Sequence, residues 1–467
     1  MKNKYIKGIV LLGLTASMGL TSCQVTNHYK SPEVNTDSLF RDKSSIDTAT
    51  IADIPWREYF KDPILQELID EGLQNNFDLQ IAVTRIQQAE ANLGMAKAAY
   101  FPDVSLVGQA EHSRSSNGTN GKDVLGYHST TYTLGISTSW ELDIWGKLNR
   151  QSKAKYAQFL NSHAYHNLIK TSLVANIATS YYSLLALDEQ LKITKETIVL
   201  LEESTTTMQA LMEAGMLNGA SVEQSKSLLY STWVTIPDLE SQIRQMESSM
   251  SILLGRKPGY VARTTISDQT IVPQLAYGVP TQLLAKRPDV QQAELAFRSA
   301  FELTHAARAA FYPSITLTSG MIGYGANSLS NFFKPENIFA SIIGGLTQPI
   351  FAKKQLTGNL KIAKAQQQEA LLTFEKTVLS AGEEVSNILY SYESSISKNE
   401  IRESQILSLN KAVDFTHELL RAGEANYTEV LTAEQNLLQA QLGQVSDRLE
   451  QLQCSVDLYK ALGGGTY

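Results

Sequence analysis

The chain has 467 residues, a formal net charge of −7 and 43% hydrophobic residues. That composition excludes collagen-like and largely disordered chains, and the acidic balance argues against nucleic acid as a partner. Length alone allows two or three domains.

Residues 1–22 read as an export signal rather than as fold. Lys2, Lys4 and Lys7 form a basic start, Ile9 to Leu14 open an apolar run, and Leu20-Thr21-Ser22-Cys23 follows. Small residues ahead of a Cys resemble the lipobox of bacterial lipoproteins, so Cys23 is the expected lipidation site and the new, diacylated N-terminus. Loss of those three lysines takes the formal charge from −7 to −10. With Cys23 acylated, Cys454 has no partner for an intramolecular disulfide. Residues 23–50 are polar and read as an extended tether from the lipid to the body. No later run offers the roughly 18 consecutive apolar residues that a transmembrane helix needs.

A first structural repeat is expected over residues 51–258. Asp62-Pro63 starts a helix, with Pro at its first position, and a second helix runs from about 78 to 99. Val104, Leu106, Gly108 and Ala110 alternate as a strand does, and so do Tyr132, Leu134, Ile136, Thr138 and Trp140. A polar loop over 113–126 joins them, giving a hairpin at about 103–142. Residues 147–214 then contain no Gly and no Pro. A helix of that length would be roughly 100 Å long. Ile177, Leu184, Leu191 and Ile198 fall seven apart, a coiled-coil seam that calls for packing against similar rods. Gly215-Met216-Leu217-Asn218-Gly219 reverses the chain. Ser221 is the expected cap of the next helix, and Pro237 is expected to bend it.

After a linker at 259–276 the pattern begins again over 277–467. Ala98-Ala99-Tyr100-Phe101-Pro102 matches Ala309-Ala310-Phe311-Tyr312-Pro313 at an offset of 211. Leu211, Ala214, Gly215, Asn218 and Val222 match Leu419, Ala422, Gly423, Asn426 and Val430 at an offset of 208. The change in offset falls in the hairpin, where loops tolerate it. The second hairpin is expected at about 314–349, pairing 315–324 with 338–347, and the second long helix at about 353–422. The chain is therefore a tandem duplication of helix, β-hairpin, long helix, turn and helix.

Each strand is expected to hold about 10 residues, the length of a tilted membrane-crossing strand. Aromatic residues cluster near the strand ends, among them Tyr100, Phe101, Tyr127, Trp140, Phe311, Tyr312, Phe332 and Phe333. Four strands leave two open edges, which lipid does not permit, so one barrel must be shared between subunits. The competing reading is a pair of soluble hairpins packed on helices. No catalytic motif is present, and neither an enzyme activity, a cofactor nor a metal site is expected. His163 and His166 read as helix surface, and Tyr181 and Tyr182 as packing between rods.

Several motifs resemble those of the TolC-like outer-membrane efflux proteins. Leu284-Ala285-Lys286-Arg287-Pro288-Asp289-Val290-Gln291-Gln292-Ala293-Glu294 is the longest. Trp56-Arg57-Glu58-Tyr59-Phe60, Asn76-Phe77-Asp78-Leu79 and Thr347-Gln348-Pro349-Ile350-Phe351 add to it. The tail from Leu458 to Gly465 is similar to the lipoprotein, NodT-type branch that serves resistance–nodulation–division pumps. The resemblance implies a mainly α protein with membrane β: a homotrimer with one 12-stranded β-barrel joined to a periplasmic α-helical barrel. A mixed α/β equatorial belt would come from the segments outside the repeats. It also implies a passive duct for small molecules in the outer membrane, fed by an inner-membrane pump and a periplasmic membrane-fusion adaptor.

In such proteins the two turns meet the adaptor. Here they are Gly215 to Gly219 and Gly423-Glu424-Ala425-Asn426-Tyr427. The acidic pair that narrows the family's periplasmic aperture falls on Glu429 and Thr432, of which only the first is acidic. The basic partner falls on Ala425, which leaves Arg421 as the nearby substitute. Two further readings stay open from sequence: a structural coiled-coil lipoprotein without a lumen, and a duct for protein secretion.

Overall fold

The computed structural model describes residues 27–41, 50–115, 127–270, 278, 280 and 282–465. Cys23 lies outside them. In chain order the elements are α1 (Trp56–Tyr59), α2 (Pro63–Asn75), α3 (Phe77–Ala98), β1 (Asp103–Ser115), β2 (Tyr127–Leu142), α4 (Lys147–Glu213) and α5 (Gly219–Leu253). The second series follows as α6 (Gln282–Lys286), α7 (Pro288–Ala309), β3 (Ser314–Ala326), β4 (Ile338–Thr347), α8 (Gln355–Ala422) and α9 (Tyr427–Ala461). The chain divides into two compact units. The first holds residues 1–33, 86–161 and 293–374, and the second holds 34–85, 162–292 and 375–467.

The first unit carries one antiparallel sheet in the order β1-β2-β3-β4. Leu106 pairs with Ile136, Ile136 with Ile322 and Ile322 with Ala340, so one row crosses all four strands. The same face carries Val104, Ile342 and Leu346, and Leu106, Ile322 and Ile342 are 76%, 65% and 78% exposed. The opposite face bears Ser105, Gln109, Glu111, Thr133 and Ser137, residues of opposite parity. Bulges between Thr138 and Trp140 and between Thr318 and Met321 adjust the register. Gly135 faces Gly323 where the two hairpins join. A Cβ built on Gly323 would lie 2.3 Å from the Leu134 carbonyl oxygen and 2.4 Å from Gly135 Cα. Only glycine allows this approach.

Three of the four strands exceed the expected ten residues, with 13, 16 and 13 in β1 to β3, and β4 holds 10. The β1–β2 ladder continues through Glu111, His112, Ser113 and Arg114, because backbone pairing does not stop where the apolar pattern does. At the hairpin bases the indole of Trp140 donates to the Tyr100 carbonyl at 2.7 Å, and that of Trp145 to the Pro313 carbonyl at 2.7 Å. At the other end of β3, Tyr324 meets Phe333 edge-on at 5.5 Å.

The second unit shows the duplication in its joints. Gly255 and Gly463 end α5 and α9 with positive φ, 70° and 91°. Asn76 Nδ2 donates to the Leu253 carbonyl at 2.9 Å, while Arg287 Nη1 donates to the Ala461 carbonyl at 2.7 Å. The donors are 211 residues apart and the carbonyls 208, the two offsets of the repeat. Asp62 caps α2 as expected from Asp62-Pro63, accepting from the Ile64 and Leu65 amides. Its other carboxylate oxygen accepts from the Tyr181 hydroxyl, the Thr264 hydroxyl and Gln269 Nε2 at 2.7, 2.6 and 2.7 Å. Burial opposes its charged form, and those bonds hold its pKa below the usual carboxylate range nonetheless. Tyr181 and Tyr182 are buried, and Tyr59 stacks on Tyr459 at 4.4 Å.

The polar N-terminal stretch is docked rather than free over its described part. In the first unit Tyr29 packs on Phe297 and Phe301 and donates to Glu294. In the second, Phe40 is fully buried, and Leu39 fills the space that a side chain on Gly382 would take. Gly382 thus leaves α8 continuous and serves as a seat. The described segments outside the repeats hold one short helix, Ile266–Asp268, and a bridge residue at Thr50, with no strand among the described residues. The expected mixed α/β belt is therefore helical and extended chain in the described residues.

Candidate functional site: the paired helical turns

The turn after α4 and the turn after α8 have the same backbone. In the first, Gly215 N donates to the Met212 carbonyl at 2.9 Å and Met216 N to the Leu211 carbonyl at 2.9 Å. In the second, Gly423 N reaches Leu420 at 3.1 Å and Glu424 N reaches Leu419 at 2.9 Å. This double bond is the Schellman closure, which needs a left-handed residue, and both glycines supply it with φ of 76° and 74°. The following helices are capped alike. The Asn218 side chain accepts from Ser221 N at 3.1 Å, and the Asn426 side chain from Thr428 N at 3.3 Å.

Asn218, not Ser221, is thus the cap of α5. With α5 starting at Gly219, Ser221 is already in the first turn, fully buried, and its hydroxyl donates back to Asn218. Pro237 lies within the uninterrupted span of α5.

The structure brings the two turns together. Met208 and Val222 from the first pack with Leu420 and Val430 from the second, and Leu217 and Tyr427 lie against this cluster. Around it, Gly215, Met216, Asn218, Gly219, Gly423, Glu424 and Asn426 are exposed and Ala425 is half-buried, with Met216 57% exposed. The result is a firm apolar support beneath two small, exposed loops, one offering a thioether and the other a carboxylate.

Glu429 and Thr432 are both exposed on the first turns of α9. The Thr432 hydroxyl donates to the Thr428 carbonyl at 2.7 Å, so it is tied to its own helix. Arg421 is exposed and lies beside a carboxylate of its own helix. Its Nη1 lies 3.5 Å from Glu418, one turn back on α8, where an i,i+3 contact is the nearest available.

The sequence reading missed a polar pair deeper along the same helices. His417 on α8 lies 3.0 Å from Glu434 on α9. Glu434 is 92% buried and the ring is two-thirds buried. The residues are 17 apart across a turn, a distance that helix-face periodicity on one element does not reveal.

A four-stranded sheet with an exposed apolar row, in a chain of duplicated long helices and turns, is the class of architecture met in channel proteins of the bacterial outer membrane. The chain belongs to the outer membrane efflux protein family, whose model matches residues 68–256 and 279–464. The probable outer membrane lipoprotein SilC of Salmonella typhimurium is 30% identical over 462 residues, covering 97% of this chain and 98% of the relative. The toluene efflux pump outer membrane protein TtgC of Pseudomonas putida is 30% identical over 487 residues, covering 99% and 96%. A solved CusC structure superposes with a TM-score of 0.85 at 27% identity, covering 95% of this chain and 100% of that one. The open state of the Neisseria gonorrhoeae MtrE outer membrane channel gives 0.84 at 26%, covering 95% and 99%. The chain is accordingly an outer membrane efflux channel protein.

Proposed function

We propose that three copies of this chain close one 12-stranded barrel, and that the trimer is the passive outer-membrane duct of a tripartite pump for small molecules. The observation that carries this reading is the sheet itself. It has an apolar row across all four strands, an opposite face that is polar on β1 and β2, and two edges, β1 and β4, that no strand among the described residues covers. Those edges offer unpaired amides and carbonyls that hydrocarbon cannot satisfy, so neighbouring copies must. The exposed face also disfavours a soluble spacer. Gly215 to Gly219 and Gly423 to Tyr427 are the docking surface for a periplasmic adaptor, which couples the duct to an inner-membrane resistance–nodulation–division pump. Glu429, repeated three times, places like charges around the aperture beside Thr432. Acylation of Cys23 anchors the chain in the inner leaflet of the outer membrane, in keeping with the lipoprotein name borne by SilC. The test is conductance of the detergent-extracted protein in planar bilayers, with its mass measured by light scattering. A trimer with discrete conducting steps is expected. A monomer without conductance would overturn the proposal.

A further inference from the structure

A cleft of about 560 Å3 lies in the second unit, between α4, α8 and α9, and extends along the helices from just behind the second turn. Two buried polar residues that line it, Glu434 and Ser204, each keep an oxygen, Oε2 and Oγ, without a hydrogen-bond partner among the described residues. Ser204 is 5% exposed and Glu434 8%. A buried carboxylate oxygen left unpaired is costly, and it is tolerated where a ligand completes it. The rim adds the carboxylates of Glu203, Asp414 and Glu418 against the single cation Arg421, which already faces Glu418. The walls are apolar, with Leu200, Leu201, Leu437 and Leu438. Among the described residues, no three His, Cys, Asp or Glu side chains are placed to ligate one metal ion directly. The His417–Glu434 pair belongs to the second repeat alone, since the positions 208 residues before them are Gln209 and Lys226.

We propose that this cleft binds a small organic cation, a protonated amine with an apolar body. Its ammonium donates to Glu434 Oε2 and Ser204 Oγ, and its hydrocarbon lies on the leucine wall. His417 holds the other carboxylate oxygen and fixes the acceptor's direction. A volume of this size suits a drug-sized ligand, and one buried charge with few polar anchors is how such sites select. The inference is independent of the trimeric duct, because every residue in it comes from one unit of one chain.

The test uses the purified full chain in detergent and monodansylcadaverine, a primary amine with an aromatic body, followed by fluorescence anisotropy. Dansylamide, the same fluorophore without the ammonium, is the control for partition into micelles. Saturable binding of the amine but not of dansylamide is expected, about tenfold weaker in Glu434→Gln, which keeps the side-chain shape and removes the charge. Asp414→Asn, an exposed rim change that leaves the interior alone, should weaken binding by a few-fold and keeps the question answerable if the buried variant fails to fold. Equal binding of dansylamide, unchanged affinity in both variants, or displacement by millimolar Mg2+ as complete as by excess cadaverine would overturn the assignment.

Discussion

Asp62 is the position at which one substitution should say most about how the helical unit is held. Its two oxygens serve five donors: two backbone amides at the start of α2, two hydroxyls from Tyr181 and Thr264, and the Gln269 amide. Asp62→Ala removes the cap, worth about 1 kcal/mol. It also strands three donors, at roughly 1–3 kcal/mol for each that finds no other acceptor. Tyr181 and Gln269 already contact the Thr264 hydroxyl at 3.1 and 2.8 Å, so part of that loss is recovered. A net loss of about 3–4 kcal/mol follows. Asp62→Asn keeps the capping oxygen and can donate to the two hydroxyls, so about half that loss is expected. Hydrogen exchange at the Ile64 and Leu65 amides, with denaturant melting of the detergent-solubilised protein, reads both. The pH dependence has a definite sign. The native carboxyl titrates below its unfolded value of about 3.9, so its contribution is complete above that value and disappears as pH falls through the lower native one. The gap between wild type and Asp62→Asn should be flat from about pH 5 to 8 and close in more acid solution. An Asp62→Ala variant within about 1 kcal/mol of wild type, or a gap that widens below pH 4, would refute this account.

Other positions give independent expectations. Gly323→Val should part β2 from β3, because the new Cβ meets backbone rather than a yielding side chain. Loss of the heat-resistant oligomer on gels and of bilayer conductance is the expected reading. Arg287→Ala leaves the Ala461 carbonyl and the carboxylates of Asp289 and Glu384 without their shared donor. A cost of about 3 kcal/mol is expected, with fraying of the α9 C-terminus in hydrogen exchange. Gly423→Ala places a side chain at φ of 74° and should cost about 1 kcal/mol, read as faster exchange of Leu420 and Val430. Burial pushes the Cys454 thiol up to about 11, so maleimide should label it only after unfolding. A cysteine placed at Met216 or Glu424 should then react selectively in the native protein.

What the sequence made legible was what repeats locally. The absence of Gly and Pro over 147–214 foretold α4, and the two offsets foretold a second hairpin whose observed ladder runs from Tyr324–Ile338 to Ser314–Thr347. The turns were legible because a glycine followed three residues later by Asn is written in both copies. Long-range choices were not. Asn218 and Ser221 are both good caps, and only the starting point of α5 decides between them. Leu39 finds its seat because Gly382 lies on a helix more than 300 residues away, and no local pattern records that. The His417–Glu434 pair was silent for the same reason: each residue alone reads as ordinary helix surface.

The paired joints at Asn76 and Arg287 carry a consequence for how such a chain diverges. One backbone geometry was copied, and the same carbonyl was left to be served in each copy. One copy kept a neutral amide that also caps α3. The other acquired a cation, and with it obligations to Asp289 and Glu384 that the first copy cannot meet. From that moment the halves ceased to be interchangeable. A shuffled chain with two first halves would bury no charge there, and one with two second halves would carry the arginine and its two carboxylates in both copies. Duplication supplied the symmetry, and one ionic joint now tells the halves apart.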